Sequence, residues 1–236
     1  MHRFIFSTLL LLLLKPAFSQ KTVTDLLKSG NEKQTAHQYK EAVTDFSLAI
    51  KLDPNNAEAY YFRANAYVDL KEFKQAIADY TVCLKYKPNN INALYNRANA
   101  YYELEEFEKA IADFTETLKL DSTFYDSYFD RGNTYYKVGK HEEAINDITK
   151  GLRLKPDNAD GYYDRANAKF QLNAYAEALG DFSKAIELNP KEKDYYFNRA
   201  IAEFNLEMTT EGCKDLNTAK DLGDAEAKDY LKEFCP

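Results

Sequence analysis

Four rows of side chains in this 236-residue chain recur at a spacing that chemistry can use. Carboxamides stand at Asn31, Asn65, Asn99, Asn133 and Asn167, each 34 residues from the next. Aromatic rings accompany them: Tyr61, Tyr95, Phe129, Tyr163 and Phe197 four residues before the Asn position, and Tyr102, Tyr136 and Phe170 three residues after it. On a helix these offsets share one face. A carboxamide offers an acceptor oxygen and two N–H donors, so it can hold both polar groups of a peptide backbone. The set therefore reads as a face for an extended peptide. The same Asn row has a second reading, as hydrogen bonds between neighbouring helices. A third row is Arg63, Arg97, Arg131, Arg165 and Arg199, and a fourth is Asp45, Asp79, Asp113, Asp147, Asp181 and Asp215. One Arg per Asp leaves little charge free for a ligand, so a ladder of ion pairs that sets the register of stacked helices is expected. Spacing alone does not say whether each pair lies within one period or joins two.

An active site occurs once, whereas these residues repeat. The chain shows no phosphate loop, nucleophile elbow or Ser/His/Asp set. His2, His37 and His141 do not share a helix face, and no Cys/His spacing suits a metal. His141 stands where the other periods have Tyr39, Phe73, Phe107 and Tyr175. No catalytic residue, metal or cofactor is expected, and the chain does not read as an enzyme. Of the three cysteines, Cys83 occupies a small-residue position and is expected to be buried. Cys213 and Cys235 lie 10 residues before and 12 after Gly223, the turn of the last hairpin. Antiparallel helices would bring them to similar heights, so a disulfide is expected.

The elements that carry these rows follow from the same ruler. Counted from Val23, the periods run 23–56, 57–90, 91–124, 125–158, 159–192 and 193–226. Within 57–90, Tyr60, Ala64, Tyr67 and Val68 form one helical stripe; Phe73, Ala76, Ile77, Tyr80 and Leu84 form a second. Pro54, Pro88, Pro156 and Pro190 close four of the periods. Each period is thus a helical hairpin, and a repeat of this length marks a solenoid.

The pattern resembles the tetratricopeptide repeat family. The eighth position is always small (Gly30, Ala64, Ala98, Gly132, Ala166, Ala200), and the twentieth is Ala42, Ala76, Ala110, Ala144 and Ala178, then Gly212. The twenty-fourth is bulky: Phe46, Tyr80, Phe114, Ile148, Phe182 and Leu216. The family's Trp at the fourth position is replaced by Leu or Tyr. The resemblance implies an all-α, right-handed superhelical solenoid of six repeats, with a concave groove lined by the first helix of each. Residues from Asp224 to Phe234 read as a final polar helix, so that 227–236 would be the C-terminal part of a cap. Some members of the family bind extended peptides in the groove. The clamp for acidic C-termini, which needs Lys or Arg where this chain has aromatics and Asn, is absent. Acidic residues at the second position (Glu58, Asp126, Asp160, Asp194) tilt the expected ligand towards neutral or basic.

The formal charge of −7 argues against a grip on nucleic-acid phosphates. Residues 1–19 have a basic start, an apolar run from Phe4 to Leu14, and small residues at Ala17 and Ser19. This is the layout of a secretory signal peptide, and the run is short of the roughly 20 apolar residues that span a bilayer. The expected protein is exported, periplasmic or secreted, without a membrane span in its mature chain. It is a non-catalytic scaffold for a protein or peptide partner; glycan binding and a subunit role in an envelope or secretion complex are the alternatives.

Overall fold

The computed structural model describes residues 21–235. Thirteen α-helices make up the regular structure of that region. Six hairpins follow one another: α1 (Val23–Thr35) with α2 (Tyr39–Leu52), α3 (Ala57–Asp69) with α4 (Phe73–Tyr86), α5 (Ile91–Glu103) with α6 (Phe107–Leu120), α7 (Tyr125–Lys137) with α8 (His141–Leu154), α9 (Ala159–Gln171) with α10 (Tyr175–Leu188), and α11 (Lys193–Asn205) with α12 (Thr209–Asp221). A short α13 (Ala227–Phe234) follows. Each helix packs on its neighbours in chain order, with lighter contact between the first helices of successive hairpins. The whole is a right-handed superhelical solenoid.

Local chemistry sets the ends of these helices. Asn56, Asn90 and Asn158 cap α3, α5 and α9, their Oδ1 atoms accepting the amides of Ala59, Ala93 and Gly161 at 3.0, 3.1 and 2.8 Å. Thr22 and Asp25 form a capping box on α1. The turn inside every hairpin places one residue at positive φ: His37, Lys71, Glu105, Gly139, Asn173 and Glu207, with φ between 58 and 75°. Only one of the six is glycine, so five turns hold a side chain in a conformation costing about 1 kcal/mol. The backbone bonds that close these turns, such as Glu72 N–H to the Tyr67 carbonyl at 2.8 Å, hold that geometry.

The core is a string of small clusters along the array rather than a single centre. The small eighth-position residues permit it. A Cβ built on Gly30 would come within 2.4 Å of the Phe46 ring, and one on Gly132 within 2.6 Å of Ile148. The reading of Asp224–Phe234 as one polar helix needs correction. The Asp224 carboxylate accepts the amides of Glu226 and Ala227, both at 2.9 Å, and so ends a turn before α13 begins. Nor is that helix polar all round: Ala227, Tyr230 and Leu231 pack on Ala200, Leu216 and Ala219. Cys213 and Cys235 form a disulfide with a Cα–Cα distance of 5.7 Å, tying α13 to α12. Residues 1–19, read as a signal peptide, lie outside the described residues.

Candidate functional site: the concave face

The Arg and Asp rows occupy a flank of the solenoid, and their geometry is the same in five repeats. Arg131 donates from Nε and Nη2 to both carboxylate oxygens of Asp147, at 2.6 and 2.9 Å, and from Nη1 to Thr115 Oγ1 at 2.8 Å. Arg63, Arg97, Arg165 and Arg199 repeat this with Asp79, Asp113, Asp181 and Asp215, and with Ser47, Thr81, Thr149 and Ser183. The ambiguity left by spacing resolves both ways at once. The ion pair lies within a repeat, joining its two helices, and the third hydrogen bond reaches back to the preceding repeat. In the first repeat, Ser29 and Lys33 serve Asp45 instead, each at 2.6 Å. These groups are engaged with one another and form a clasp, not a ligand strip.

The Asn row lies on the other side of the first helices. Asn65 and Asn99 line a cavity of about 650 Å³, together with Val68, Asp69, Asn96 and Glu103. Asn99 and Asn133 line the next, of about 220 Å³, with Tyr102, Glu103 and Asp130. Asn167 lines a third, of about 300 Å³, with Tyr136, Tyr163, Phe170, Asn198 and Ile201. Four of the five Asn residues thus follow one another along a chain of cavities; Asn31 lines none of the three. Tyr102, Tyr136 and Phe170 stand beside the row, and the last two rings pack on His141 and Tyr175.

The residues four positions before the Asn are placed differently. Tyr61, Tyr95 and Tyr163 tuck their rings against Tyr80, Phe114 and Phe182 of the second helices. Their hydroxyls are used: Tyr95 donates to Asp130 at 2.6 Å, and Tyr163 accepts from Asn198 at 2.6 Å. Phe197 packs edge-on against Tyr230 of α13. Phe129 is buried among Ile148 and Leu152 and does not reach the concave surface. It has no hydroxyl to hold at the surface, and Gly151 and Gly161 leave room for its ring; a Cβ on either would come within 2.8 Å of it.

The second reading of the Asn row, hydrogen bonds between neighbouring helices, is seen at Asn65 and Asn167. Asn65 Oδ1 accepts from Tyr80 at 2.6 Å and from Asn96 at 3.1 Å, and Asn167 Oδ1 accepts from Asn198 at 3.2 Å. Asn65 and Asn167 therefore pair with the sixth position of the following repeat. Asn99 and Asn133 lie beside Asp130 and Asp164 and favour the charged form of those carboxylates. Sequence reasoning passed over the sixth-position row, Asn96, Asp130, Asp164 and Asn198, although its regular polarity three residues before the Asn was a signal. It also passed over Asp69, Glu103 and Gln171, four residues after the Asn, which line the cavities as well. Burial pushes the Asp164 carboxyl up to about 6 against the help of Asn133, with Asp160 and Asp130 adding repulsion. Burial likewise raises Asp130, and Asp126 adds to it, while Tyr95 and Asn99 oppose the rise.

A solenoid of stacked helical hairpins, with its charged clasps spent on stacking and a polar, aromatic-lined hollow left along the inside, belongs to the class of helical-repeat interaction scaffolds. More particularly, the chain belongs to the tetratricopeptide repeat family. A tetratricopeptide repeat model matches residues 91–124 and 159–192, and a TPR repeat model matches 37–70, 64–105 and 132–172. Similar solved structures include MamA (25% identity, TM-score 0.68, covering 73% of this chain and 94% of that one). YrrB, described as a TPR protein with an unusual peptide-binding site, matches at 21% identity and TM-score 0.70, covering 80% and 97%. PilF of Pseudomonas aeruginosa matches at 18% identity and TM-score 0.73, covering 89% and 97%. No curated protein matches the sequence.

Proposed function

We propose that this protein is an exported, non-catalytic scaffold that holds an extended polypeptide segment of a partner along its concave face. The observation that carries this reading is the chain of three cavities lined by Asn65, Asn99, Asn133 and Asn167 with Tyr102, Tyr136 and Phe170. An extended backbone presents a polar group every few ångströms, and a periodic row of carboxamides meets such groups without reading side chains. The oxygen of Asn65 is spent on its neighbours, so its amide N–H groups are the part offered to a ligand. The peptide-binding site named for the structural neighbour YrrB supports the reading. Export is supported by the pattern of residues 1–19 and by the Cys213–Cys235 disulfide, a bond that persists in oxidising compartments.

A library of random dodecapeptides selected against the full chain tests the reading. Selected peptides should bind the wild type and bind Tyr102→Ala/Tyr136→Ala at least about tenfold more weakly, a loss of roughly 1.4 kcal/mol. Asn99→Ala/Asn133→Ala should weaken them too, with helicity unchanged. Selected peptides that bind both variants as tightly as the wild type would place the site elsewhere and overturn the reading.

A further inference from the structure

The carboxylates of this molecule fall into two populations. The Asp residues of the flank each have a cation: Lys33 for Asp45 and an Arg for each of Asp79, Asp113, Asp147, Asp181 and Asp215. Four acids of the first helices on the inner side, Asp69, Glu103, Asp130 and Asp164, have no Lys, Arg or His within 4.0 Å among the described residues. Two of them have neutral donors instead: Gln34 donates to Asp69 at 2.6 Å and Tyr95 to Asp130 at 2.6 Å. Such donors fix a carboxylate in place and leave its charge uncancelled. Lys71 is the one cationic side chain among the residues lining the three concave cavities.

Asp130 and Asp164 are half-buried while Asp69 and Glu103 are exposed; half-buried charge without a counter-charge is costly, and it becomes less so when a cation arrives. The cavity between the third and fourth repeats, of about 220 Å³, gathers Glu103 and Asp130 with Tyr102 and the two carboxamides Asn99 and Asn133. A long cationic side chain suits such a place. Its head meets the carboxylates, its methylenes lie along the tyrosine ring, and the ring face itself attracts a cation. A carboxylate or phosphate would meet repulsion there from Glu103, Asp130 and, one turn before it, Asp126.

Resting on the peptide reading of the same groove, we propose that the bound segment is cationic, with a lysine or arginine side chain entering the cavity formed by Asn99, Tyr102, Glu103, Asp130 and Asn133.

The test uses three fluorescein-labelled dodecapeptides, alternating Lys-Ser, Gln-Ser and Glu-Ser, titrated against the full chain and followed by anisotropy. The Lys-Ser peptide should bind about tenfold or more tightly than the Gln-Ser peptide, with the Glu-Ser peptide weakest. Glu103→Gln/Asp130→Asn should erase about tenfold of that preference, read as the ratio of Lys-Ser to Gln-Ser affinity. Both substitutions keep an acceptor for Tyr95 and the shape of each side chain, and an unaltered melting curve would show the fold intact. Because the whole protein is acidic, Glu142→Gln/Glu143→Gln on exposed α8 is the matched loss of charge, and it should leave the preference in place. Equal binding of Lys-Ser and Gln-Ser, or an equal loss from the α8 pair, overturns the cationic proposal while the peptide groove stands. Failure of all three peptides, together with failure of the library selection, removes the groove reading and this one with it.

Discussion

Replacing Arg131 by Met is the sharpest probe of what holds successive repeats in register. The guanidinium is mostly buried, with 12% of its side chain exposed, and Asp147 beneath it has 4%. Removing it strands the Asp147 carboxylate and leaves Thr115 Oγ1 without its donor. Breaking a buried pair in this way costs about 3–5 kcal/mol. Lys150, 3.7 Å from Asp147 Oδ1, offers partial compensation, so the lower end, about 3 kcal/mol, is expected. Asp147→Leu on top of Arg131→Met removes the stranded charge and should recover most of the loss, to within about 1 kcal/mol of the wild type. Thr115→Val alone should cost only about 1 kcal/mol, the worth of one hydrogen bond. Urea denaturation followed by far-ultraviolet circular dichroism and by tyrosine fluorescence gives all four stabilities, and agreement of the two probes shows that the array still unfolds as one unit. A cost below about 1 kcal/mol for Arg131→Met, or a double variant no more stable than the single, would mean that the clasp is surface decoration and the apolar junctions alone set the stacking.

Two further perturbations act near the C-terminal end. Reducing the Cys213–Cys235 bond, or replacing both residues by Ser, opens a loop of 22 residues and should cost about 3 kcal/mol. Faster amide exchange in α13, with exchange in α3 to α8 unaltered, is the expected readout. Glu203 is buried, with its Oε2 atom lacking a hydrogen-bond partner, and burial together with Asp215 pushes its carboxyl up to about 7 against the pull of Arg199. A carboxyl raised above its unfolded value favours the fold at low pH, and that contribution is lost as pH rises through about 7. Glu203→Gln should therefore melt higher than the wild type at pH 8, by about 2 kcal/mol in stability, with the gap shrinking towards pH 5. An advantage independent of pH would show that Glu203 is not the titrating group.

The repeat, its two helices and the small residues between them were legible because each recurs six times in register, and recurrence turns a weak propensity into a clear signal. The Arg–Asp pairing was legible in kind and not in topology, since Arg63 and Asp79 in one repeat and Arg63 and Ser47 across two are both 16 residues apart. The inner face was legible in part. The row at Asn65 to Asn167 announced itself by invariance, while Asp130 and Asp164 share their row with Asn96 and Asn198 and so look like ordinary solvent-facing residues until the helices are stacked. Phe129 is the instructive miss. Its position is shared with tyrosines, but its burial depends on Gly151 and Gly161, residues from two other helices that only the assembled repeat brings to it. The start of α13 escaped for a comparable reason: the Asp224 side chain closes on amides two and three residues ahead, a local bond that competes with helix.

Because every clasp reaches back one repeat and no farther, the curvature of the whole is a sum of separate joint angles. Nothing averages an error at one joint against the others. Opening the joint that Arg131 makes on Thr115 would part the cavity that spans it, leave the other two as they are, and swing everything beyond it as a lever swings on a pivot. A partner long enough to lie across several repeats would feel that as a change of pitch, and one held within a single repeat would not feel it at all. The molecule is thus stiff locally and compliant over its length, like a chain of hinges each fastened by one rivet.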